Sequence, residues 1–166
     1  MKVAAIGDNC IDYYKRLGRF YPTGNIVDTG VNLQKLGIST SIISTTGSDD
    51  YGRIMLETLK KEGLDISHLK VAQGRTAITY MDMNGLDRVH GEYIEGVLEN
   101  MKFDEDDISF AASHDLVHSA FWGKSDDILE KIKEYGTKIS FDYATSYDSE
   151  MVNRTVPFVD YGFFSF

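Results

Sequence analysis

Cysteine is nearly missing from this chain. Cys10 is the only one in 166 residues, so a disulfide scaffold is excluded and no cysteine pair exists to hold zinc. Proline is scarce too, with two residues against 15 glycines, which excludes collagen-like and low-complexity chains. No apolar run approaches the roughly 18 residues of a membrane span. Near the N-terminus Asp8 interrupts the apolar stretch Val3–Ile6 too early for a secretory signal. Positive charge is in deficit: 17 Lys and Arg face 26 Asp and Glu, a net charge of −9, and the densest basic run is Lys60-Lys61. Such a chain repels phosphate backbones, so neither nucleic acid nor a membrane is an expected partner. These absences leave a soluble cytoplasmic protein with a reduced thiol as the expectation.

What is present is a globular composition, 42% hydrophobic and 12% aromatic, with length for one domain and a real core. Residues 2–7 read as a short buried strand and the β-branched run 40–46 as a second. Between them Ile26, Val27, Val31, Leu33 and Leu36 recur at helical spacing over 25–36, with Gly37 as a stop. A strand, a helix and a strand imply a parallel pair. Residues 51–62 form another amphipathic helix. The pattern then changes. Residues 76–83 and 86–93 alternate around Asn84-Gly85, the signature of a hairpin. Helix–strand alternation resumes after Asp104, with helices over 105–112, 126–135 and 149–155 and strands over 115–120, 138–142 and 159–166. The expected fold is a doubly wound, mostly parallel α/β sheet with a small β-hairpin extension. The aromatic end, Tyr161-Gly162-Phe163-Phe164-Ser165-Phe166, reads as a chain cut inside a core element, with its C-terminal half absent.

Polar residues gather where the parallel strands end, the place where open α/β sheets bind ligands. Asp8, Asn9 and Asp12 follow the first strand, and Asp142 and Tyr143 follow the fourth. Thr23-Gly24-Asn25 leads into the first helix, and Gly47 to Gly52 follows the second strand. Clustered carboxylates and amides suit a ligand with several hydroxyls, because each carboxylate accepts two or more hydrogen bonds. Plainer roles stand beside these. Asp8 and Asp12 also fit loop turns, Gly24-Asn25 also fits a helix start, and Asp49 reads best as a helix cap. His114 and His118 fall on a strand rather than on one helical face, so they make no metal pair. Neither Gly-x-x-x-x-Gly-Lys-Ser/Thr nor Gly-x-Gly-x-x-Gly occurs.

Gly7-Asp8-Asn9-Cys10-Ile11-Asp12, Gly24-Asn25 opening a helix that ends at Leu36-Gly37, and Gly47-Ser48-Asp49-Asp50-Tyr51-Gly52 resemble the N-terminal part of the ribokinase-like (PfkB) carbohydrate kinases. More narrowly, Gly63 to His68, Asp87-Arg88-Val89, Gly91 to Val97 and Val117 to Gly123 resemble the fructosamine-phosphorylating members of that family. The resemblance implies residues 1–166 as part of one sugar-kinase domain, with a β lid inserted at about 66–97. It implies substrate contacts from Asp12, Gly24, Asn25, Asp28, Arg88 and Asp142, and a lid that keeps water from the sugar. Thr23 stands where the family has a first glycine, and Asp28 where it usually has asparagine. The activity implied is ATP-dependent phosphorylation of the 6-hydroxyl of a fructosamine, with Mg²⁺ and a homodimer through the lid. The resemblance places the catalytic base and most of the ATP and Mg²⁺ sites beyond residue 166. The alternative is a truncated, inactive chain that only binds sugar or dimerises.

Overall fold

The computed structural model describes residues 1–165. In chain order the strands and helices are β1 (Lys2–Ile6), β2 (Cys10–Tyr14), β3 (Arg19–Thr23), α1 (Asn25–Lys35), β4 (Ser39–Gly47), α2 (Asp50–Lys61), β5 (Asp65–Ala72), β6 (Ile78–Asn84), β7 (Asp87–Ile94), α3 (Glu105–Ala112), β8 (Leu116–Ala120), α4 (Leu129–Glu134), β9 (Lys138–Asp142), α5 (Glu150–Thr155) and β10 (Tyr161–Phe163). Six strands form one sheet in the order β10-β9-β8-β1-β4-β5, with every pairing parallel. The other four form a second sheet, β3-β2-β6-β7.

The large sheet is buried on both faces, as a parallel sheet must be. Alternate residues of its central strands serve opposite cores. Ala4, Ile6 and Ile43 pack under α3 and α4 with Ile108, Ile132 and Phe141. Ala5 and Ile42 pack under α1 and α2 with Ile26, Met55 and Leu59. Helix starts follow local chemistry. Asp49 caps α2 by accepting from the Gly52 N–H at 3.0 Å. Asp104 and Asp107 form a reciprocal capping box on α3.

Four expectations change here. The hairpin of residues 76–93 is real, but β2 and β3, read from sequence as loop, complete its sheet. Ile11 pairs with Ile78 in parallel register, and Cys10 to Tyr14 run antiparallel to Arg19 to Thr23. Residues 65–72, inside the expected lid insertion of 66–97, instead form β5 at the edge of the large sheet. The second sheet also does not stand clear of the domain. Ile11 and Ile78 belong to the core beneath α1 and α2, and Phe20 meets Tyr51 of α2 edge-on at 5.3 Å. A two-stranded hairpin is marginal in water, and two more strands with a shared apolar face remove that problem. The last strand, expected over 159–166, is β10 alone, an outer strand with Tyr161 and Phe163 exposed; Phe166 lies outside the described residues.

Strand order reverses at β1, which has β4 on one side and β8 on the other. Such a switch point opens a crevice beyond the carboxyl ends of the two flanking strands. The second sheet, connected to β1 by a short bend at Gly7–Asn9, sits over that crevice.

Candidate functional site

A cavity of about 760 Å³ fills the crevice. Its floor is Asp8, just after β1, together with Gly24, Asn25 and Asp28 at the start of α1. Its roof is the second sheet, through Asp12, Thr79, Arg88, His90 and Tyr93. Its third wall is the turn after β8, through Phe121, Trp122 and Lys124.

The roof is built by strand periodicity. On β2, Ile11 enters the core while Cys10 and Asp12 face the cavity, since successive side chains take opposite faces. Thr79 pairs with Asp12 across the sheet and shares that face. On β7, Arg88 and His90 are two apart and share it as well. Tyr93 is three residues on and would fall on the other face of a regular strand. It does not, because three residues from His90 to Tyr93 oppose two from Met81 to Thr79. This bulge changes the parity and turns Tyr93 to the cavity. A Cβ on Gly91, inside the bulge, would lie 2.8 Å from the Tyr80 carbonyl oxygen.

The floor depends on one close approach. Gly24 has φ +129°, and a Cβ there would lie 2.8 Å from both the Asn9 Cα and the Asp8 carbonyl oxygen. Only glycine allows that conformation and contact. The contact brings the Asn25 N–H to the Asp8 carboxylate at 3.2 Å. The other Asp8 oxygen, Oδ1, is buried without a hydrogen-bond partner among the described residues. Behind the floor Asn9 fixes the bend, donating to the Ser44 hydroxyl at 2.7 Å and the Thr45 carbonyl at 2.8 Å. The two departures from the family pattern are partners of each other: the Thr23 hydroxyl donates to the Asp28 carboxylate at 2.7 Å.

Charge in the cavity is unbalanced. Asp12 is buried and accepts no hydrogen bond from the described residues. Burial pushes its carboxyl above the usual range; His90 and Arg88 pull it back, and Asp28 adds to the rise. Burial likewise raises Asp8, against the Asn25 N–H. Burial, with Asp12 and Asp8 beside it, pushes the Cys10 thiol up to about 12. Cys10 is therefore a neutral thiol at physiological pH and no nucleophile. Of the other charged lining groups, Lys124 pairs with Glu95 and Asp126 with Arg154. The unpaired remainder is Asp8, Asp12 and Asp28 facing Arg88 and His90. This donor and acceptor set fits a hydroxyl-rich ligand.

Asp12, Gly24, Asn25, Asp28 and Arg88 are thus brought together, although Asp12 arrives from a strand of the roof and not from the loop after β1. Asp142 is not among them. It ends β9, two strands from the switch at β1, and its carboxylate accepts from the Ala144 N–H at 2.8 Å. Its backbone carbonyl does serve the site, accepting from the Phe121 N–H at 2.8 Å. The segment Gly47 to Gly52 does not line the cavity either. Asp49 instead ties α2 to the approach to β6, accepting from the Thr76 hydroxyl at 2.6 Å and its N–H at 3.1 Å. His90, Tyr93, Trp122 and Lys124 were missed in the sequence. Alternation along 86–93 could have found His90 from Arg88; Tyr93 and Trp122 lie in stretches that carry the family resemblance, but nothing local aims them at a site, and nothing local marks Lys124.

These features define the class. The fold is the ribokinase-like α/β fold, with a second sheet roofing the crevice. It superposes on the Arabidopsis thaliana ribokinase complexed with ribose and ATP with TM-score 0.80 at 14% identity, covering 97% of this chain and 59% of that one. A PfkB family carbohydrate kinase from Listeria grayi gives 0.79 at 20% identity, covering 98% and 60%. The chain belongs to the pfkB family of carbohydrate kinases, whose sequence profile matches residues 15–147. Among curated relatives, it is 36% identical over 163 residues to fructoselysine 6-kinase of Escherichia coli, covering 98% of this chain and 62% of that protein. It is 32% identical over 170 residues to a fructosamine kinase of Bacillus subtilis, covering 99% and 59%. The chain therefore spans about three fifths of the length of these relatives.

Proposed function

We propose that this chain supplies the acceptor site of an ATP-dependent kinase that phosphorylates the 6-hydroxyl of a fructosamine. The observation that carries the reading is Asp12, a buried carboxylate without a donor among the described residues, facing a roofed cavity at the switch point of a carbohydrate-kinase fold. Asp12 accepts sugar hydroxyls there. The Asn25 side chain and Arg88 supply donors, and the second sheet shields the reacting hydroxyl from water. The relatives named as fructoselysine and fructosamine kinases support the substrate class.

The family implies ATP and Mg²⁺ as phosphoryl donor and metal. The cavity does not fit them. Its unpaired groups are mostly carboxylates, which repel a polyphosphate, and no glycine-rich phosphate loop lies on its walls. Among the described residues no cluster of three His, Cys, Asp or Glu is placed to share a cation. No transfer step is assigned to these residues. What they do is bind the acceptor, orient it and exclude solvent, which in phosphoryl transfer is much of the catalysis.

The test uses the 166-residue chain and its full-length gene product, each with fructoselysine and Mg·ATP. The chain is expected to bind fructoselysine in ligand-detected NMR and to release no ADP. The full-length product is expected to yield a 6-phosphate, located by phosphorus–proton NMR correlation. No binding by the chain, or phosphate on another carbon, would overturn the reading.

A further inference from the structure

A fructosamine differs from fructose in one respect, an amine on C1 that is protonated at neutral pH and carries a further arm. The cavity has room beyond a hexose. At about 30 Å³ per water-sized group, 760 Å³ admits roughly 25 such groups, about twice what one sugar ring fills. The cavity reaches from β7 to the turn after β8. There Trp122 lines the cavity while 63% exposed, so its indole is open to a ligand.

The turn that carries Trp122 is held by hydrogen bonds at Phe121, Gly123 and Lys124. The Phe121 N–H donates to Asp142 O and the Gly123 N–H to Ala120 O, both at 2.8 Å. The Phe121 ring meets Trp122 edge-on at 5.0 Å. Lys124, in the left-handed region at φ +52°, is held there by its ammonium, which donates to the Leu98 and Glu99 carbonyls at 2.8 and 3.1 Å and pairs with Glu95. An indole presented on a fixed turn offers its face at little entropic cost. Its π cloud attracts a cation, and the unpaired carboxylates of Asp8, Asp12 and Asp28 draw cations into the same cavity.

We infer that Trp122 is a specificity-determining residue that packs on the amine-bearing arm of the substrate, so that the cavity selects an N-substituted fructosamine over the free ketose. This rests on the acceptor-site reading above and adds to it the group that recognises the substituent. The sugar sits at Asp12 and Asn25, and the arm runs out past Trp122.

The test compares dissociation constants of the chain for fructoselysine and for D-fructose, by saturation-transfer NMR, in the wild type, Trp122→Ala and Trp122→Phe. Trp122 is exposed, so its replacement spares the core. The wild type is expected to prefer fructoselysine, with Trp122→Ala lowering the preference about 3- to 30-fold and Trp122→Phe restoring part of it. A preference unchanged in Trp122→Ala, including equal losses for both ligands, overturns the inference and leaves the acceptor-site reading intact. So does a wild type that binds fructoselysine no better than fructose. A wild type that binds neither overturns the acceptor-site reading, and this inference with it.

Discussion

Removing the Asp12 carboxylate should weaken sugar binding by about one to two orders of magnitude. Asp12 is buried on the roof of the cavity, and none of the described residues donates a hydrogen bond to it. Its burial is a cost to folding that nothing in the chain offsets fully, since His90 and Arg88 act only at a distance. A hydroxyl donated to a carboxylate is worth about 1.5–3 kcal/mol, so its loss in Asp12→Ala corresponds to a roughly 10- to 150-fold rise in Kd. Asp12→Asn keeps an acceptor and loses the charge, so its loss falls between. Only the ionised wild-type group is a full acceptor, and burial raises its pKa above the ordinary carboxylate value. Affinity should therefore fall as pH drops through that raised pKa, and the Asp12→Asn profile should be shallower. Calorimetric or NMR titrations with fructoselysine between pH 4 and 7 measure all three. A Kd within twofold of wild type in Asp12→Ala at neutral pH would refute the assignment.

The same carboxylate should cost stability. With its folded pKa above the unfolded one, the folded state binds the proton more tightly, so stability falls as pH rises from the unfolded pKa through the folded one. Asp12→Asn is then expected to raise Tm at pH 7, with the gain vanishing as pH falls below the ordinary carboxylate range; a lower Tm at pH 7 would contradict this. Gly24→Ala puts a Cβ 2.8 Å from two backbone atoms at φ +129°, so denaturant unfolding should show a loss of about 1–3 kcal/mol along with weaker sugar binding. Asp107, buried in the first turn of α3, accepts from the Lys70 ammonium, from the Asp104 N–H at 3.0 Å and from the His68 ring at 3.2 Å. Asp107→Ala should cost about 1–3 kcal/mol through a lower denaturation midpoint at unchanged m. Because the cluster is remote from the cavity, fructoselysine affinity should survive at temperatures where the variant is folded.

Read along the chain, local chemistry placed most of the large sheet and its helices. Val3 to Ile6 is apolar at every position because β1 is covered on both faces. The caps at Asp49 and Asp104 and the helical spacing over 25–36 needed no knowledge of neighbours. Asp28, Gly24 and Asn25 were legible together because one helix start holds all three. Much of the roof was not legible. β2 is five residues interrupted by a charged Asp12, and β3 is an edge strand carrying Pro22. β2 is a strand only because β3 and β6 pair with it, and β3 only because β2 does.

Sequence by itself determined the fold class, the family and five residues of the cavity, because those rest on periodicity, capping and short motifs carried within one stretch of chain. Tertiary structure alone decided which residues meet. It put Asp142 outside the cavity, since β9 lies two strands from the switch at β1. It gave Thr23 and Asp28 to each other, which two separate departures from a motif do not reveal. The bulge on β7 turned Tyr93 onto the face of Arg88 and His90, and the turn after β8 brought Trp122 to face them. A sequence states the alternation of a strand, but where that alternation is interrupted depends on the partner strand, and the partner is chosen only when the whole sheet closes.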